Sequence, residues 1–192
     1  MPKITGDSLS SHREQIRERV FAAFVDLVAE RSFDAITMAQ LAERAGVGRT
    51  TIYHHFRDKD AVVVAFATHE TNRYLADLTA VLADATTPPE RLRRYLHHHL
   101  AEGEQFHLGL GPQVYGLLSD ASLREIREHV QAVETVLRRI LADGVSTGDF
   151  VADAESAVPL VHAVLGPRTV PADVVVAFVL GGLSASSGDP AR

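Results

Sequence analysis

The 192-residue sequence contains no cysteine, and this absence excludes several classes of protein at once. Disulfide-stabilised folds, cysteine zinc sites and thiol catalysis all need that residue. Long apolar runs are also missing: the stretch 170–183 carries Asp173 and two glycines, and a bilayer span needs about 20 apolar residues. Residues 1–34 are charged throughout, unlike a signal peptide. We therefore expect a cytoplasmic protein with no membrane partner.

A positive net charge, which is common in nucleic-acid-binding proteins, is lacking as well. The formal net charge is −6. Residues 1–60 hold 9 basic and 9 acidic side chains, whereas the remaining 132 residues hold 10 basic and 16 acidic ones. The excess of acid therefore lies entirely in the second part. A neutral first part can still present a short basic face to phosphates, so net charge alone decides nothing.

No segment convincingly shows the alternating pattern of a β-strand, and proline and glycine divide the chain into amphipathic helical runs. Capping-box sequences at Ser11–Glu14, Thr37–Gln40 and Ser122–Glu125 predict helix starts. Gly144 predicts the end of a helix. These patterns predict an all-α protein of eight or nine helices.

The segment 33–61 has the pattern of two short helices joined by a tight glycine turn. Leu41 and Ala42 face inward on the first helix, and Ile52 and Phe56, four residues apart, face inward on the second. The exposed positions of the second helix combine hydrogen-bond donors, threonine methyl groups and an aromatic ring without an acid. Such a set suits a helix that enters the DNA major groove. These exposed positions are Arg49, Thr50, Thr51, Tyr53, His54 and Arg57.

The same segment resembles the signature of the TetR (tetracycline-repressor-like) family of regulators. The matching run is Thr37-x-x-x-Leu41-Ala42-x-x-Ala45-Gly46-Val47-x-x-x-x-Ile52-Tyr53-x-His55-Phe56-x-x-Lys59. The resemblance covers roughly residues 11–66. It implies a three-helix helix-turn-helix head over residues 1–58 and a helical effector-binding and dimerisation body over residues 59–192. It further implies a homodimer that represses transcription at a pseudo-palindromic operator in double-stranded DNA and is released by a small molecule. The DNA contacts that it implies are Thr37, Arg49, Thr50, Thr51, Tyr53, His54 and Lys59.

A small-molecule pocket is predicted inside the body, where aromatic and histidine side chains share helix faces with leucines. Enclosed apolar pockets with a few polar groups are the usual small-molecule sites. The effector is therefore predicted to be a largely hydrophobic or aromatic organic compound. The predicted pocket residues are Phe66, Tyr95, His99, Phe106, Tyr115 and His162. A tyrosine or histidine satisfied within the core is the alternative for His99, Tyr115, His162 and also His107.

The dimer interface is predicted at the last apolar segment, 174–183, which is apolar nearly all round and so should be buried. Its position at the end of the helical series favours an interface over a core, and its small residues permit close helix approach. The family resemblance implies that the last two helices build the dimer. The predicted interface residues are Val174, Ala177, Phe178, Gly181, Gly182 and Ala185.

Two other functions remain open. The run His97-His98-His99 suggests a histidine-rich metal hydrolase that uses residues 97–107. Successive helical residues lie about 100° apart, however, so three in a row cannot converge on one ion. HExxH, paired ExxH and nucleophile motifs are absent, and we predict no catalytic residue, metal or cofactor. The other function is a DNA-binding regulator controlled by a protein partner instead of a small molecule.

Overall fold

The computed structural model describes residues 6–106, 112–166 and 170–184, with side chains for 10–102, 114–166 and 170–184. These residues form nine α-helices and no β-strand, and their β-type pairing is a single bridge between Phe150 and Ser184. The predicted all-α class is confirmed, as is the expected number of helices. Within these ranges no helix is both long enough and apolar enough to span a bilayer. The helices are α1 (Gly6–Glu30), α2 (Met38–Arg44), α3 (Arg49–His55), α4 (Lys59–Leu82), α5 (Pro88–Phe106), α6 (Pro112–Tyr115), α7 (Asp120–Thr147), α8 (Ala154–Leu165) and α9 (Ala172–Leu183).

The chain divides into two compact units. The first unit contains residues 1–69 and 109–127, and the second contains residues 70–108 and 128–192. The units therefore part within α4 and within α7. The division after residue 58 stays a prediction about domain boundaries.

Five phenylalanines pack together among the buried aliphatic side chains of the first unit and are called its phenylalanine core. The ring of Phe21 lies 6.0 Å from that of Phe56 and 5.7 Å from that of Phe66, and Phe24 lies 5.6 Å from Phe66. Phe33, in the single-turn 3-10 helix before α2, closes this core edge-on against Phe24 at 6.3 Å. These contacts join α1, α3 and the start of α4 around one apolar centre.

The second unit has its own apolar core, in which α5 packs against α8 and α9. Leu92, Tyr95 and Leu96 of α5 are completely buried there. Their i, i+3, i+4 spacing places them on one face of the helix, as the amphipathic pattern predicts.

Two predicted helix starts are wrong. α1 already begins at Gly6, so Ser11 lies inside the helix. α7 begins at Asp120, because Ser119 serves as its cap: the Ser119 hydroxyl accepts from the Ser122 amide at 3.3 Å. Ser122 is itself buried within the first turn. In both cases the capping-box pattern, a serine three residues before a glutamate, also fits the interior of a helix.

The predicted helix end at Gly144 is also wrong, because α7 continues to Thr147. The glycine is needed for space: a Cβ at Gly144 would lie 2.0 Å from Cδ2 of Phe150. Phe150 is buried against this bare stretch of helix. Gly144 therefore marks a close approach of a ring to a helix backbone.

Candidate nucleic-acid interface

The start of α2 and the turn after it hold two short helices in a defined arrangement. The Thr37 hydroxyl accepts from the Gln40 amide at 3.2 Å, and the Gln40 side chain accepts from the Thr37 amide at 2.9 Å. The predicted capping box is therefore confirmed. Gly46 follows α2 with φ +62°, a left-handed conformation that favours glycine. The Val47 amide then donates to the Ala42 carbonyl at 2.9 Å, which closes the turn.

α3 presents one apolar face inward and a polar face outward. Ile52 is completely buried and Phe56 is nearly so, as predicted. The opposite side carries no acidic residue. Five of the predicted DNA contacts lie on this helix: Arg49, Thr50, Tyr53 and His54 are exposed, and Thr51 is half-buried. Donors, methyl groups and one aromatic ring thus project together from a single short helix.

Tyr53 is the largest apolar group on this surface, and 49% of it is exposed. Among the described side chains Arg49 has no ion-pair partner. By contrast, Arg44 is held by Glu30 through two hydrogen bonds of 2.8 Å. This pairing with Arg44 lowers the pKa of Glu30. Arg49 of α3 is therefore available for phosphates or base edges, whereas Arg44 of α2 supports the contact with α1.

Lys59 differs from the other predicted DNA contacts because its side chain forms hydrogen bonds within the protein. Its ammonium donates to the carbonyls of Phe33 at 2.9 Å and Asp34 at 3.2 Å. The same nitrogen lies 4.7 Å from the centre of the Phe33 ring, in a cation–π arrangement. A hydrogen bond from Ser32 and, to a smaller extent, the charge of Lys59 lower the pKa of Asp34. Two of the three donors of Lys59 are thus used within the first unit.

The predicted pocket residues are divided between the two units. Phe66 belongs to the phenylalanine core of the first unit, and Tyr115, whose pKa burial raises, also lies in that unit. Tyr95 and His99 stack in the second unit with ring centres 6.0 Å apart. His162 is half-buried on α8. The side chain of Phe106 and residue His107 lie outside the described residues.

Two further residues beside Tyr95 and His99 complete a cluster that the sequence patterns did not reveal as a site. Tyr74 and His99 share a buried hydrogen bond of 3.1 Å between the phenol oxygen and Nδ1. The His98 ring lies 4.8 Å from that of Tyr74. Burial raises the pKa of both Tyr74 and Tyr95. The only sequence signal was helical phase, which marks Tyr74 as inward but does not say which residue of α5 it meets.

This cluster of Tyr74, Tyr95, His98 and His99 contains two buried polar atoms without a hydrogen-bond partner among the described residues. The Tyr95 hydroxyl and His98 Nε2 form no hydrogen bond to any described residue. Tyr95 is completely buried. Buried polar groups are nearly always satisfied by protein or by ordered water, so these two atoms can accept or donate a hydrogen bond to water or to a bound molecule.

α9 has two different faces. Val175, Val176 and Val179 are buried in the core, whereas Val174 is 54% and Phe178 69% exposed. The single chain thus buries one face of α9, and the burial of its other face in a dimer interface stays a prediction. Other predicted interface residues on the exposed face are Ala177, Gly181 and Gly182, while Ala185 lies outside the described residues. The interface prediction did not include Leu160 of α8, which is 65% exposed.

The histidine run does not assemble a metal centre in the part of the chain that the structure describes. No group of three or more histidine, aspartate or glutamate side chains lies there in a position to hold an ion. His97 instead lies near Asp173, with Nε2 and Oδ1 3.9 Å apart. Nothing in this arrangement favours the metal hydrolase.

Comparison with known proteins assigns residues 21–66 to the family described as bacterial regulatory proteins, tetR family. A transcriptional repressor of the helix-turn-helix type from Mycobacterium tuberculosis is 35% identical over 96 residues. That match covers 47% of this chain and 49% of the relative. The chain thus matches about half the length of this curated relative, and the matched family segment contains all seven predicted DNA contacts.

Solved structures share the fold over most of the chain. A tetR-family regulatory protein from Rhodococcus RHA1 has a TM-score of 0.70 at 20% identity, covering 89% of this chain and 98% of that one. The transcriptional regulator FadR from Bacillus subtilis, in complex with stearoyl-CoA, has a TM-score of 0.70 at 16% identity. That alignment covers 86% of this chain and 98% of the other. These likenesses establish the fold.

Proposed function

This chain is a member of the tetR family of bacterial regulatory proteins through its residues 21–66, and we propose that it represses transcription by sequence-specific DNA binding in the cytoplasm. The observation that carries the proposal is the outward face of α3. Arg49, Thr50, Tyr53 and His54 are exposed together on a helix whose opposite side is anchored by buried Ile52. A short helix of this kind, with donors and methyl groups and no acid, can read base edges in the major groove. Thr37, Thr51 and Lys59 flank this face and contribute contacts to the sugar–phosphate backbone.

The proposal includes a homodimer formed by α8 and α9. Large apolar side chains are exposed at Leu160, Val174 and Phe178. A partner helix can approach closely beside them, because Gly181 and Gly182 have no side chains. Exposed apolar surface of this kind marks an interaction site. A twofold dimer would place two α3 helices about one DNA turn apart, ~34–36 Å, on a pseudo-palindromic operator.

The proposal also includes a small organic effector bound in the second unit. The buried Tyr95 hydroxyl and His98 Nε2 form no hydrogen bond to the side chains and backbone that the structure describes, and mainly apolar side chains of the core surround them. The effector is therefore a mainly hydrophobic compound with one or two polar groups that reach these atoms. The stearoyl-CoA complex of a protein with this fold supports a body that can accept an apolar chain.

Effector binding and operator binding are coupled through the conformation of the dimer. α4 is one continuous helix that contributes residues to both units. A ligand can shift an equilibrium only by its difference in affinity for the two states. The effector therefore favours the state in which the two α3 helices are spaced wrongly for adjacent grooves.

Selection of duplexes from a random DNA pool tests the proposed function. The wild-type protein should enrich an inverted repeat whose half-sites lie about one turn apart. The same selection with Arg49→Ala/Tyr53→Ala serves as the matched control and should enrich nothing, although this variant should keep its helical circular dichroism. Enrichment of the same sequence by both proteins, or of no sequence by the wild type, would contradict the proposal.

A thermal-shift screen of uncharged aromatic and aliphatic compounds against charged metabolites tests the effector. Hydrophobic compounds should stabilise the protein and release the selected operator. Stabilisation by phosphorylated sugars or metal ions alone would refute the proposed effector class. Operator release on addition of a protein from the same cell, with no response to small molecules, would favour the regulator controlled by a protein partner.

A further inference from the structure

A concave surface lies wholly within the first unit, whereas the tyrosine–histidine cluster belongs to the second. It is an open groove of about 470 Å³ between α1, the end of α3, α4 and the start of α7. Small-molecule sites commonly have volumes of about 300–1,000 Å³. Ala61 and Ala65, four residues apart on α4, form the floor together with Val64. The alanines leave room there that larger residues would fill.

The charged groups around this groove are mainly basic. Arg17 of α1 and Arg57, between α3 and α4, line it together with His55, while Glu125 is its acidic residue. Arg57 is well exposed, with 76% of its side chain accessible, and its partner Asp58 is exposed as well. Arg17 lies 3.8 Å from Glu14 and above the rings of Phe21 and Phe56. Both guanidinium groups are thus placed at the groove and only weakly neutralised by exposed acids.

Several basic groups lie close enough to His55 to lower the pKa of its imidazole. Desolvation by burial lowers its pKa first, and the charges of Arg17, His54, Arg13 and His12 lower it further. Each of these charged neighbours is basic. These basic groups would attract an anion to the part of the groove beside His55, because the acids that partner Arg17 and Arg57 are exposed and such ion pairs are weak.

The groove is lined by polar groups on one hand and by the methyl groups of Ala61 and Ala65 on the other. The Thr68 hydroxyl donates to the Val64 carbonyl, and Ser122 donates to Asp60 at 3.3 Å, so these hydroxyls are already used within the protein. The guanidinium groups of Arg17 and Arg57 remain the main donors to a bound molecule. We propose that the groove binds a small amphipathic anion, a carboxylate or phosphate monoester whose alkyl part lies along Ala61 and Ala65.

This site differs from the effector site of the proposed function in its location and in its ligand. The effector site lies in the second unit and takes a mainly uncharged compound, whereas the groove lies beside α3 and requires a negative charge. A guanidinium group pairs well with either a carboxylate or a phosphate oxygen pair. The headgroup must therefore be assigned by experiment.

The test is a titration of the full chain, without DNA, followed by NMR of ¹³C-labelled alanine methyl groups. Hexanoate and hexyl phosphate are the probes, with 1-hexanol as the uncharged control and inorganic phosphate as the control without a tail. At least one of the two probes should shift the Ala61 and Ala65 methyl signals in a saturable way, while 1-hexanol and inorganic phosphate should not. Tighter binding of hexyl phosphate would assign a phosphate ligand, and tighter binding of hexanoate would assign a carboxylate.

Variants separate a specific site from general attraction. Arg57→Gln should weaken binding of the better probe about threefold to fivefold, as expected for a solvent-exposed ion pair. Ala65→Glu, which adds an acid to the floor, should abolish it. Arg93→Gln removes an exposed charge from the second unit and is the matched control, for which no change is expected. Equal shifts with 1-hexanol, or equal effects of the Arg57 and Arg93 variants, would overturn the proposed anion site. Neither result would bear on the proposed operator binding.

Discussion

Lys59 donates through its ammonium to the carbonyl oxygen of Phe33 at 2.9 Å, and the same nitrogen lies 4.7 Å from the centre of the Phe33 ring. The first residue of α4 thereby holds the chain segment that leads into α2. Phe33 in turn packs edge-on against Phe24 of α1. One side chain thus connects the start of α4 to the core on which the orientation of α2 depends.

Replacement of Lys59 by alanine should have two separable effects. Loss of the charge-assisted bonds to Phe33 and Asp34 should lower the free energy of unfolding by about 1–2 kcal/mol. Loss of one phosphate contact should weaken binding to operator and random DNA alike and reduce the slope of log K against log salt by about 1. Urea unfolding and salt-dependent fluorescence anisotropy measure the two. An effect confined to the operator would contradict a phosphate role, and Arg93→Gln provides a charge-loss control.

Replacement of Tyr53 by alanine should weaken operator binding by about 1–3 kcal/mol, the usual contribution of a good base contact or stacking group. Because 49% of Tyr53 is exposed, the fold should tolerate the change. Val25→Ala is the control, since Val25 is 42% exposed on α1 and lies outside the proposed contacts. Gel-shift titration compares the two variants. Unchanged operator affinity of Tyr53→Ala would show that the outward face of α3 is assigned wrongly.

The proposed dimer should fail when charge is placed on the exposed face of α9. Gly181→Arg and Phe178→Glu should each give monomers, because an unpaired charge would be buried in the interface. These monomers should lose operator binding, since one half-site alone supplies too little affinity. Val151→Glu is the matched control: Val151 is 66% exposed but lies outside α8 and α9. Sedimentation velocity at micromolar concentration distinguishes the species, and a monomeric wild type would exclude the dimer.

Stability should depend on pH partly through His55. Burial and the charges of Arg17, His54, Arg13 and His12 lower its pKa below the usual 6.5. The unfolded chain therefore binds the proton more readily, so stability is greatest above pH 6.5 and falls as the pH drops through the lower, folded value. His55→Gln should lose less melting temperature between pH 8 and pH 5.5 than the wild type. Val25→Ala, which removes an exposed apolar side chain and no titratable group, should lose as much as the wild type; an equal loss in His55→Gln would refute the role of His55.

Much of the fold and of the DNA-binding face could be predicted because the signals there are local. The Thr37–Gln40 capping box, the left-handed Gly46 and the buried pair Ile52 and Phe56 depend on neighbours within one or two helical turns. Local patterns failed where a distant residue decides the outcome. Gly144 looked like a helix end, and only the ring of Phe150 explains why a glycine lies inside α7.

The pocket was harder to predict because helical phase gives a direction but not a partner. Phe66 points inward as predicted, yet the rings that it meets are Phe21 and Phe24 in the first unit. Tyr95 and His99 do lie together, but their neighbour Tyr74 comes from α4. Lys59 likewise matches the family signature, whereas its bonds to Phe33 and Asp34 depend on a turn more than 20 residues earlier in the chain.

Two buried tyrosines of the second unit should respond in opposite ways to loss of the hydroxyl group. Tyr74→Phe breaks the 3.1 Å hydrogen bond to His99 and should lower the free energy of unfolding by about 1 kcal/mol. Tyr95→Phe removes a hydroxyl that has no partner among the described residues, so the ligand-free protein should be as stable as the wild type or more stable. The same Tyr95→Phe variant should bind the effector more weakly, because the polar group that meets the ligand is gone. Chemical denaturation without ligand and thermal shift with the screened effector measure the two effects. A destabilised Tyr95→Phe protein with unchanged effector affinity would show that this hydroxyl serves the fold and not the ligand.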